Sequence, residues 1–161
     1  MIKEATAEDL DSWVELRVQL WPHQSAEESR TDCLKIIDSQ REVCFISYPS
    51  SEEKKGNGFI EVSTRDYSDG CESSPVGYIE GVFVSEGNRK KGLGKELIEK
   101  SYGWFLTKGC SEVGSDALIE NEESISFHKR IGFEEVERHV VFRKQIHANQ
   151  ASLTTTATRP S

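Results

Sequence analysis

Along the first 40 residues, apolar side chains recur at the spacing of two amphipathic helices. Thr6 with Asp9, and Ser25 with Glu28, are three positions apart, as in N-terminal capping boxes. One helix is therefore predicted after each box, the first of them ending at Pro22 and the second near position 39. The apolar stripes are Leu10, Trp13, Val14, Val18 and Trp21, with Arg17 among them, and Cys33, Leu34, Ile36 and Ile37.

Five segments have the residue pattern of β-strands: 2–5, 41–48, 59–67, 76–84 and 110–116. The segment 76–84 is almost continuously apolar, which is typical of a central strand. The last of the five ends at Asp116, next to the end of the central strand, where α/β sheets place their ligands.

The remainder of the chain predicts two more helices and a final β region. Apolar residues from Leu93 to Phe105 favour a third helix, and a fourth is predicted over 121–131 with Gly132 ending it. Residues 133–146 predict the last strands, as two strands or a hairpin. The resulting order, β-α-α-β-β-β-α-β-α-β-β, is that of an α/β domain over 1–146 with one mixed β-sheet flanked by helices. Residues 147–161 lack apolar periodicity and are interpreted as a disordered tail or an expression remnant.

A basic glycine loop, Arg89-Lys90-Lys91-Gly92-Leu93-Gly94, connects the central strand to the third helix. Free N–H groups at a helix start attract anions, and glycine allows a phosphate to approach the backbone. The loop lacks the Gly-Lys-Ser/Thr end of a P-loop and the three glycines of a dinucleotide fingerprint. It is predicted to bind a phosphate group, although a plain surface turn would have the same residues.

Glu80 interrupts the apolar central strand. By period two it would share a face with Tyr78, Val82 and Val84. A buried, unpaired carboxylate costs several kcal/mol, so this face is expected to open to a cleft or to supply a partner. In a cleft, Glu80 could bind an ammonium group or deprotonate it, directly or through water. An ordinary half-exposed strand face is the other interpretation.

Composition narrows the class of protein. A chain of 161 residues suits one domain, and its net charge of −8 argues against a general nucleic-acid binder. The same charge permits an acidic cleft for a cationic molecule, or only provides solubility. No apolar run has transmembrane length and no signal-peptide pattern is present, so no membrane partner and a cytoplasmic location are expected. The four cysteines are widely spaced and are interpreted as reduced thiols, with no metal site.

The Arg-x-x-Gly-x-Gly loop after a strand resembles the pyrophosphate motif of the GCN5-related N-acetyltransferases, which bind acetyl-CoA. Further segments are similar to the aminoglycoside 6'-N-acetyltransferases of Gram-negative bacteria, and the similarity covers about residues 1–146. It implies the acetyltransferase fold, transfer of acetyl from acetyl-CoA to the 6'-amine of an aminoglycoside, and a homodimer whose partner could complete each pocket. These segments are Glu15–Pro22, Tyr67–Val84, Ser115-Asp116, Glu120-Asn121 with Ser124 and His128, and Ile131–Arg138.

The resemblance also implies which residues form the site. Glu80 and Asp116 would be the catalytic carboxylates, Glu80 as the first candidate for the base and Asp116 mainly as an anchor. His23 is displaced by one position from the family's histidine. The aminoglycoside contacts would be Trp21, His23, Tyr67, Glu80, Asp116 and Glu137. The acetyl-CoA contacts would be Val82, Phe83, Val84, Arg89, Lys90, Lys91, Gly92, Leu93, Gly94, Lys95, Asn121 and Ser124.

Each of these assignments has a structural alternative. Asp116 could cap a helix, Glu137 could be a solvated charge and Trp21 could belong to the core. His128 stands near the position where many relatives carry a tyrosine acid, so it could protonate the CoA thiolate, leave that to solvent, or be structural. No cysteine has the sequence context of a nucleophile, which favours direct transfer in a ternary complex. The competing functions are acetylation of a polyamine or protein amine by the same fold, and non-catalytic binding of acetyl-CoA.

Overall fold

One five-stranded sheet, in the order β1-β2-β3-β4-β5, organises the computed structural model, which describes residues 1–151. The pairs β1/β2, β2/β3 and β3/β4 are antiparallel, whereas β5 runs parallel to β4. The predicted mixed sheet is therefore confirmed. The strands are β1 (Ile2–Glu4), β2 (Glu42–Ser47), β3 (Gly58–Arg65), β4 (Val76–Val84) and β5 (Val113–Gly114).

The helices begin at the signals that the sequence contains. The capping boxes of Thr6 with Asp9 and of Ser25 with Glu28 are both present. The first of them opens a short 3₁₀ turn that leads into α1, and Gly132, with φ of 98°, follows α4. The helices are α1 (Leu10–Leu20), α2 (Ala26–Asp38), α3 (Leu93–Thr107), α4 (Glu122–Arg130) and the four-residue α5 (Ala148–Ala151).

Helices cover both faces of the sheet, which gives the protein two apolar layers. On one face, α1 and α2 bury Trp13 against a cluster that includes Phe59 and Phe83 of the sheet. On the other face, α3 buries Leu97 and Phe105 against the sheet. The alternation of side chains along each strand supplies both layers from the same strands.

A β-bulge interrupts β4 at Glu80. Val62 of β3 pairs with Ile79 and Glu61 pairs with Gly81, so Glu80 is an extra residue without a partner. Val82 and Val84 consequently pack with the α3 layer, while Glu80 lies on the α1/α2 side of the sheet. The expectation that Val82 and Val84 share the face of Glu80 was wrong, because period two holds only along an unbroken ladder.

The C-terminal part of the described chain differs from the prediction. Residues 133–147 form no strand, and the strand predicted over 110–116 is limited to β5. The strands predicted over 133–146 are therefore wrong. A strand needs a partner edge, and here Val140, Val141 and Phe142 are largely exposed. Of the predicted tail, 148–151 form α5, and 152–161 lie outside the described residues.

Candidate active site

The glycine loop lies at the N-terminus of α3, as the sequence predicted. Lys90 and Gly92 both have positive φ, 59° and 88°, and Gly92 is the N-cap of α3. Within the loop, Nε of Arg89 donates to the carbonyl of Val84 at 3.0 Å, and Nζ of Lys91 donates to that of Gly87 at 2.7 Å. The loop is thus a folded turn that presents the free N–H groups of a helix start beside positive charge.

Helix α4 packs close to this loop. Asn121 is the N-cap of α4 and accepts a hydrogen bond from the backbone N–H of Ser124 at 3.0 Å. A Cβ at Gly94 would lie 3.2 Å from the ring of Phe127 in α4, so the two helices meet closely there. Leu93 is the first residue of α3, and Lys95 pairs with Glu99 one turn further on at 3.6 Å.

The edge of β4 that follows the bulge is open within the described residues. Strand β5 pairs with β4 only at Gly77 and Tyr78, so the stretch Val82–Val84 has β3 on one side and no strand on the other. Backbone N–H and C=O groups along this open edge are available to an extended ligand, as in other strand-addition contacts. The side chain of Phe83 packs into the α1 layer against Phe59.

The carboxylate of Glu80 is held by two residues of the neighbouring strand. The hydroxyl of Ser63 donates to Oε1, and Nη2 of Arg65 donates to both carboxylate oxygens at 2.9 Å. Nε of Arg65 adds a contact to Oε1 at 3.3 Å. The side chains of Arg65 and Glu80 are 41% and 33% exposed, so the pair borders on solvent.

Asp116 is bound to β4 through a tyrosine. The Tyr78 hydroxyl donates to a carboxylate oxygen of Asp116, and burial together with this contact raises the pKa of Tyr78. The guanidinium of Arg65 lies 3.4 Å from the centre of the same tyrosine ring. Arg65 and Tyr78 therefore connect the two carboxylates that the sequence singled out.

Two cavities open on this network. The first, of about 450 Å³, contains Trp21 and Glu80, and its other walls include Arg17, Asp32 and Glu61. The second, of about 910 Å³, contains Tyr67, Asp116 and Glu137, and it also includes Arg65. The predicted acceptor residues are thus divided between two cavities, which the Arg65–Glu80 pair connects, since Glu80 lines the first and Arg65 the second. His23 is exposed and belongs to neither lining in the described chain.

Trp21 is held in place from two sides. A Cβ at Gly81 would lie 2.5 Å from the Trp21 indole, so only glycine lets the ring pack on β4 at this point. The guanidinium of Arg17 lies 4.7 Å from the same ring. Arg17 is itself buried and pairs with Glu61, with its Nε 2.7 Å from Oε1. Burial raises the pKa of Glu61, and the Arg17 guanidinium opposes that rise.

Tyr67 has a more open setting than Trp21. Its side chain is largely exposed, and its hydroxyl donates to Asp69 at 2.8 Å. Sequence reasoning did not identify Arg65 as a residue of the site. It also did not predict that Tyr78 positions Asp116. A signal existed for Arg65, since Glu61, Ser63 and Arg65 alternate along β3 and place three polar side chains on one face.

His128 is held as one tautomer. Its Nδ1 lies 2.7 Å from the carbonyl oxygen of Ser124, which can only accept, so Nδ1 carries the proton. Nε2 then accepts from the Ser115 hydroxyl at 2.8 Å in the neutral ring. His128 and Ser115 line the cavity of Asp116, where such a pair can bind or pass on a proton.

Two other classes of site are not found in the described part of the chain. No three His, Cys, Asp or Glu side chains of residues 1–151 are grouped to hold a metal ion. Among the helices formed by these residues, none has the length and apolarity needed to cross a bilayer.

Sequence comparison identifies the proteins that this chain is similar to. The profile of the acetyltransferase (GNAT) family matches residues 10–133. An aminoglycoside N(6')-acetyltransferase type 1 of Serratia marcescens is 37% identical over 147 residues, which are 91% of this chain and 99% of the relative. A protein of the same name from Salmonella typhimurium is 37% identical over 145 residues, covering 89% of this chain and 98% of its own.

Solved structures agree in fold. AAC(6')-Iy in complex with the bisubstrate analogue CoA-S-monomethyl-acetylneamine has a TM-score of 0.85 and 35% identity, over 91% of this chain and 98% of that one. The aminoglycoside 6'-N-acetyltransferase AAC(6')-IG of Acinetobacter haemolyticus, in its apo form, has a TM-score of 0.83 and 31% identity, over 91% and 99%. The chain therefore belongs to the acetyltransferase (GNAT) family, in the group of aminoglycoside 6'-N-acetyltransferases.

Proposed function

We propose that this protein transfers acetyl from acetyl-CoA to the 6'-amine of aminoglycoside antibiotics and so confers resistance to them. One observation carries the proposal: strand β4 presents Glu80 on the side of the acidic cavities and then runs directly into the basic glycine loop. A single strand thus joins a place for a cation to a place for a pyrophosphate.

The donor binds along the second half of β4. Arg89, Lys90 and Lys91 provide the positive charge around the pyrophosphate, and the N–H groups at the start of α3 bind its oxygens. The pantetheine arm follows the open edge of Val82–Val84, where a backbone N–H can stabilise the oxyanion that forms on the thioester. Asn121 and Ser124 contribute from the start of α4.

The acceptor binds on the other side of the bulge. Aminoglycosides carry several ammonium groups, and Glu80, Asp116 and Glu137 offer charge-assisted hydrogen bonds to them. Trp21 and Tyr67 form apolar walls for the sugar rings, with a minor contribution from His23. The reacting ammonium has no lone pair, so it loses a proton before attack, and Glu80 receives that proton directly or through water while Asp116 anchors the polycation.

Transfer is direct, within a ternary complex. Burial raises the pKa of Cys33 to about 12 and raises that of Cys44 well above its usual value. The pKa values of Cys71 and Cys110 are raised as well, by partial burial. A thiol with a raised pKa contains little thiolate, which is the form that attacks an acyl group. These cysteines therefore support a mechanism without an acyl-enzyme.

The functional unit is a homodimer. Within 133–146, Val140, Val141 and Phe142 form an apolar run, yet Val140 and Phe142 are 75% and 89% exposed in the single chain. A second copy can cover this segment, and the same segment lines the Asp116 cavity through Val136 and Glu137, so each partner would complete the other's site. The use of acetyl-CoA supports a cytoplasmic location.

Kanamycin or tobramycin mixed with acetyl-CoA, with the release of free thiol monitored, tests the proposed activity. We expect a single acetylation at the 6'-nitrogen, identified by mass spectrometry and NMR, and no reaction there with 6'-hydroxyl analogues. Acetyl on another amine would overturn the regiochemistry. Turnover of a polyamine or protein amine alone, or binding of acetyl-CoA without any turnover, would replace the proposed function by one of those activities.

A further inference from the structure

Arg65 is the last residue of β3 and occupies the boundary between the two cavities of the acceptor side. Its guanidinium makes three contacts to Glu80, at 2.9, 2.9 and 3.3 Å, and it stacks on the ring of Tyr78 at 3.4 Å. With the added bond from Ser63, Oε1 of Glu80 accepts from three donor groups. A carboxylate oxygen has two lone pairs, so Oε1 has no capacity left for a further donor.

The acceptor that the site is proposed to bind is itself a cation. An ammonium group that approaches Glu80 therefore meets a carboxylate whose charge is already balanced by Arg65. We propose that Arg65 is a specificity-determining residue, an internal cation that competes with the acceptor's ammonium group for Glu80. This inference rests on the proposed function and names a selectivity within it.

The displaced guanidinium has another carboxylate in the same cavity. Arg65 and Asp69 both line the larger cavity, and Asp69 is not one of the proposed acceptor contacts, so the charge can turn from Glu80 toward Asp69 while it remains over Tyr78. The pair borders on solvent, and partly exposed ion pairs are weak enough to be exchanged.

This competition selects for polycations. A monoamine gains only its contact to Glu80 and loses that of Arg65, so the exchange is nearly neutral. An acceptor with several ammonium groups also gains the contacts to Asp116 and Glu137, which pay for the displacement. Arg65 thus raises the Kd of every amine by a similar factor, so at a given concentration only an acceptor with these additional contacts fills the site.

The test compares Arg65→Gln with Arg41→Gln. Arg41 forms an exposed pair with Asp66 at 3.0 Å and does not contact Glu80. Arg41→Gln is therefore a matched control that removes the same charge elsewhere on the surface. Calorimetry measures the Kd of kanamycin, of the monoamine 6-amino-6-deoxyglucose and of acetyl-CoA. For Arg65→Gln we expect a Kd about three- to tenfold lower for both amines, by a similar factor for each, and an unchanged Kd for acetyl-CoA.

The double variant Arg65→Gln/Glu80→Gln shows whether Arg65 acts through Glu80. Its Kd for kanamycin should lie within about twofold of that of Glu80→Gln alone, since the carboxylate for which Arg65 and the ammonium group compete is absent from both variants. Arg65→Lys, which keeps the charge, should restore most of the wild-type Kd. The proposal is overturned if folded Arg65→Gln binds the amines no more tightly than the wild type does, or if the effect of Arg65→Gln persists in the double variant. In either case, kanamycin turnover by the wild type would still support the proposed function. A wild type that does not acetylate kanamycin overturns both.

Discussion

The Tyr78 hydroxyl donates a hydrogen bond to Asp116 at the point where β4 and β5 have their last pairing, between Tyr78 and Gly114. The contact fixes a carboxylate that follows β5 by only two residues and would otherwise move with its loop. Because burial and Asp116 raise the pKa of Tyr78, the phenol stays protonated and remains a donor at neutral pH.

Tyr78→Phe removes that donor and should lower kcat/KM for kanamycin about tenfold or more, as for loss of a hydrogen bond to a charged group. The KM for acetyl-CoA should change little, because Tyr78 lies on the acceptor side of the bulge. Steady-state kinetics with each substrate varied in turn measure both effects. Tyr102→Phe, on α3, is the control, and an equal loss in the two variants would contradict the role of Tyr78.

Gly92→Val should abolish most of the acetyl-CoA affinity. Gly92 has φ of 88°, and a side chain there adds backbone strain of about 1–2 kcal/mol and also fills the space of a bound phosphate. Gly109→Val is a matched control, since Gly109 has φ of 79° and no atom within 4 Å of its added Cβ. Calorimetry with acetyl-CoA should separate the two, although both lose stability. Wild-type affinity in a folded Gly92→Val protein would exclude the loop as the phosphate site.

Glu80→Gln keeps the size of the side chain and removes its charge. If Glu80 receives the proton of the ammonium, kcat should fall on the order of 10²–10⁴-fold while acetyl-CoA binding is retained. A change confined to the KM of the aminoglycoside would identify Glu80 as an anchor only. Wild-type values for both constants would remove Glu80 from the site.

Asp9 links stability to pH. Burial opposes its ionisation, but the hydrogen bonds from Lys3, Tyr48 and the backbone N–H of Thr6 outweigh that effect, and the pKa of Asp9 is lowered. A carboxyl group with a lowered pKa stabilises the fold above its unfolded value near 3.8, and this stability is lost as the pH falls through the folded pKa.

Asp9→Asn should therefore lower the free energy of unfolding by about 1–3 kcal/mol at pH 7, and the difference from wild type should shrink below about pH 4. Urea titrations at several pH values measure it. Asp11→Asn is the control, since Asp11 is exposed and pairs with Arg30 at the surface. A difference that is constant from pH 7 to pH 3 would show that ionisation of Asp9 is not the cause.

The exposed C-terminal segment gives a prediction for assembly. If the protein is the proposed homodimer, Val140→Ser with Phe142→Ser should convert it to a monomer and lower acetylation of kanamycin, because the segment then lacks the apolar contacts that a partner would cover. Sedimentation measures the mass. Leu106→Ser, an equally exposed apolar position on α3 at 71%, should leave the dimer intact. A monomeric wild type would contradict the dimer proposal.

Local signals in the sequence were sufficient for the parts of the fold that local chemistry decides. The capping boxes at Thr6 and Ser25 and the glycine at 92 depend on residues within one turn, and each was predicted at its place. Which face of the sheet each β4 side chain occupies was not predictable in this way. The bulge at Glu80 arises from the register of β4 against β3, and period two read along β4 alone put Val82 and Val84 on the wrong face.

The candidate site was predictable as a set of residues but not as a network. Glu80 was found because a carboxylate in an apolar strand is costly, and Asp116 because it ends a strand where α/β sheets place their ligands. Their partners Arg65 and Tyr78 come from contacts 15 and 38 residues away in sequence. The division of the acceptor residues between two cavities likewise depends on tertiary packing. The strands predicted in 133–146 failed for a related reason, since β-branched and aromatic residues show that a segment can pair but not where its partner lies.

The bulge has a consequence for how this family can change. Ile79 and Gly81 pair with Val62 and Glu61, two adjacent residues of β3, so the ladder on either side of Glu80 would run on in register without it. A deletion of one codon could therefore erase the carboxylate, and an insertion could create it, without moving any other strand pair. The carboxylate at this position can therefore be gained or lost in a single mutation that leaves the packing of both hydrophobic layers unchanged.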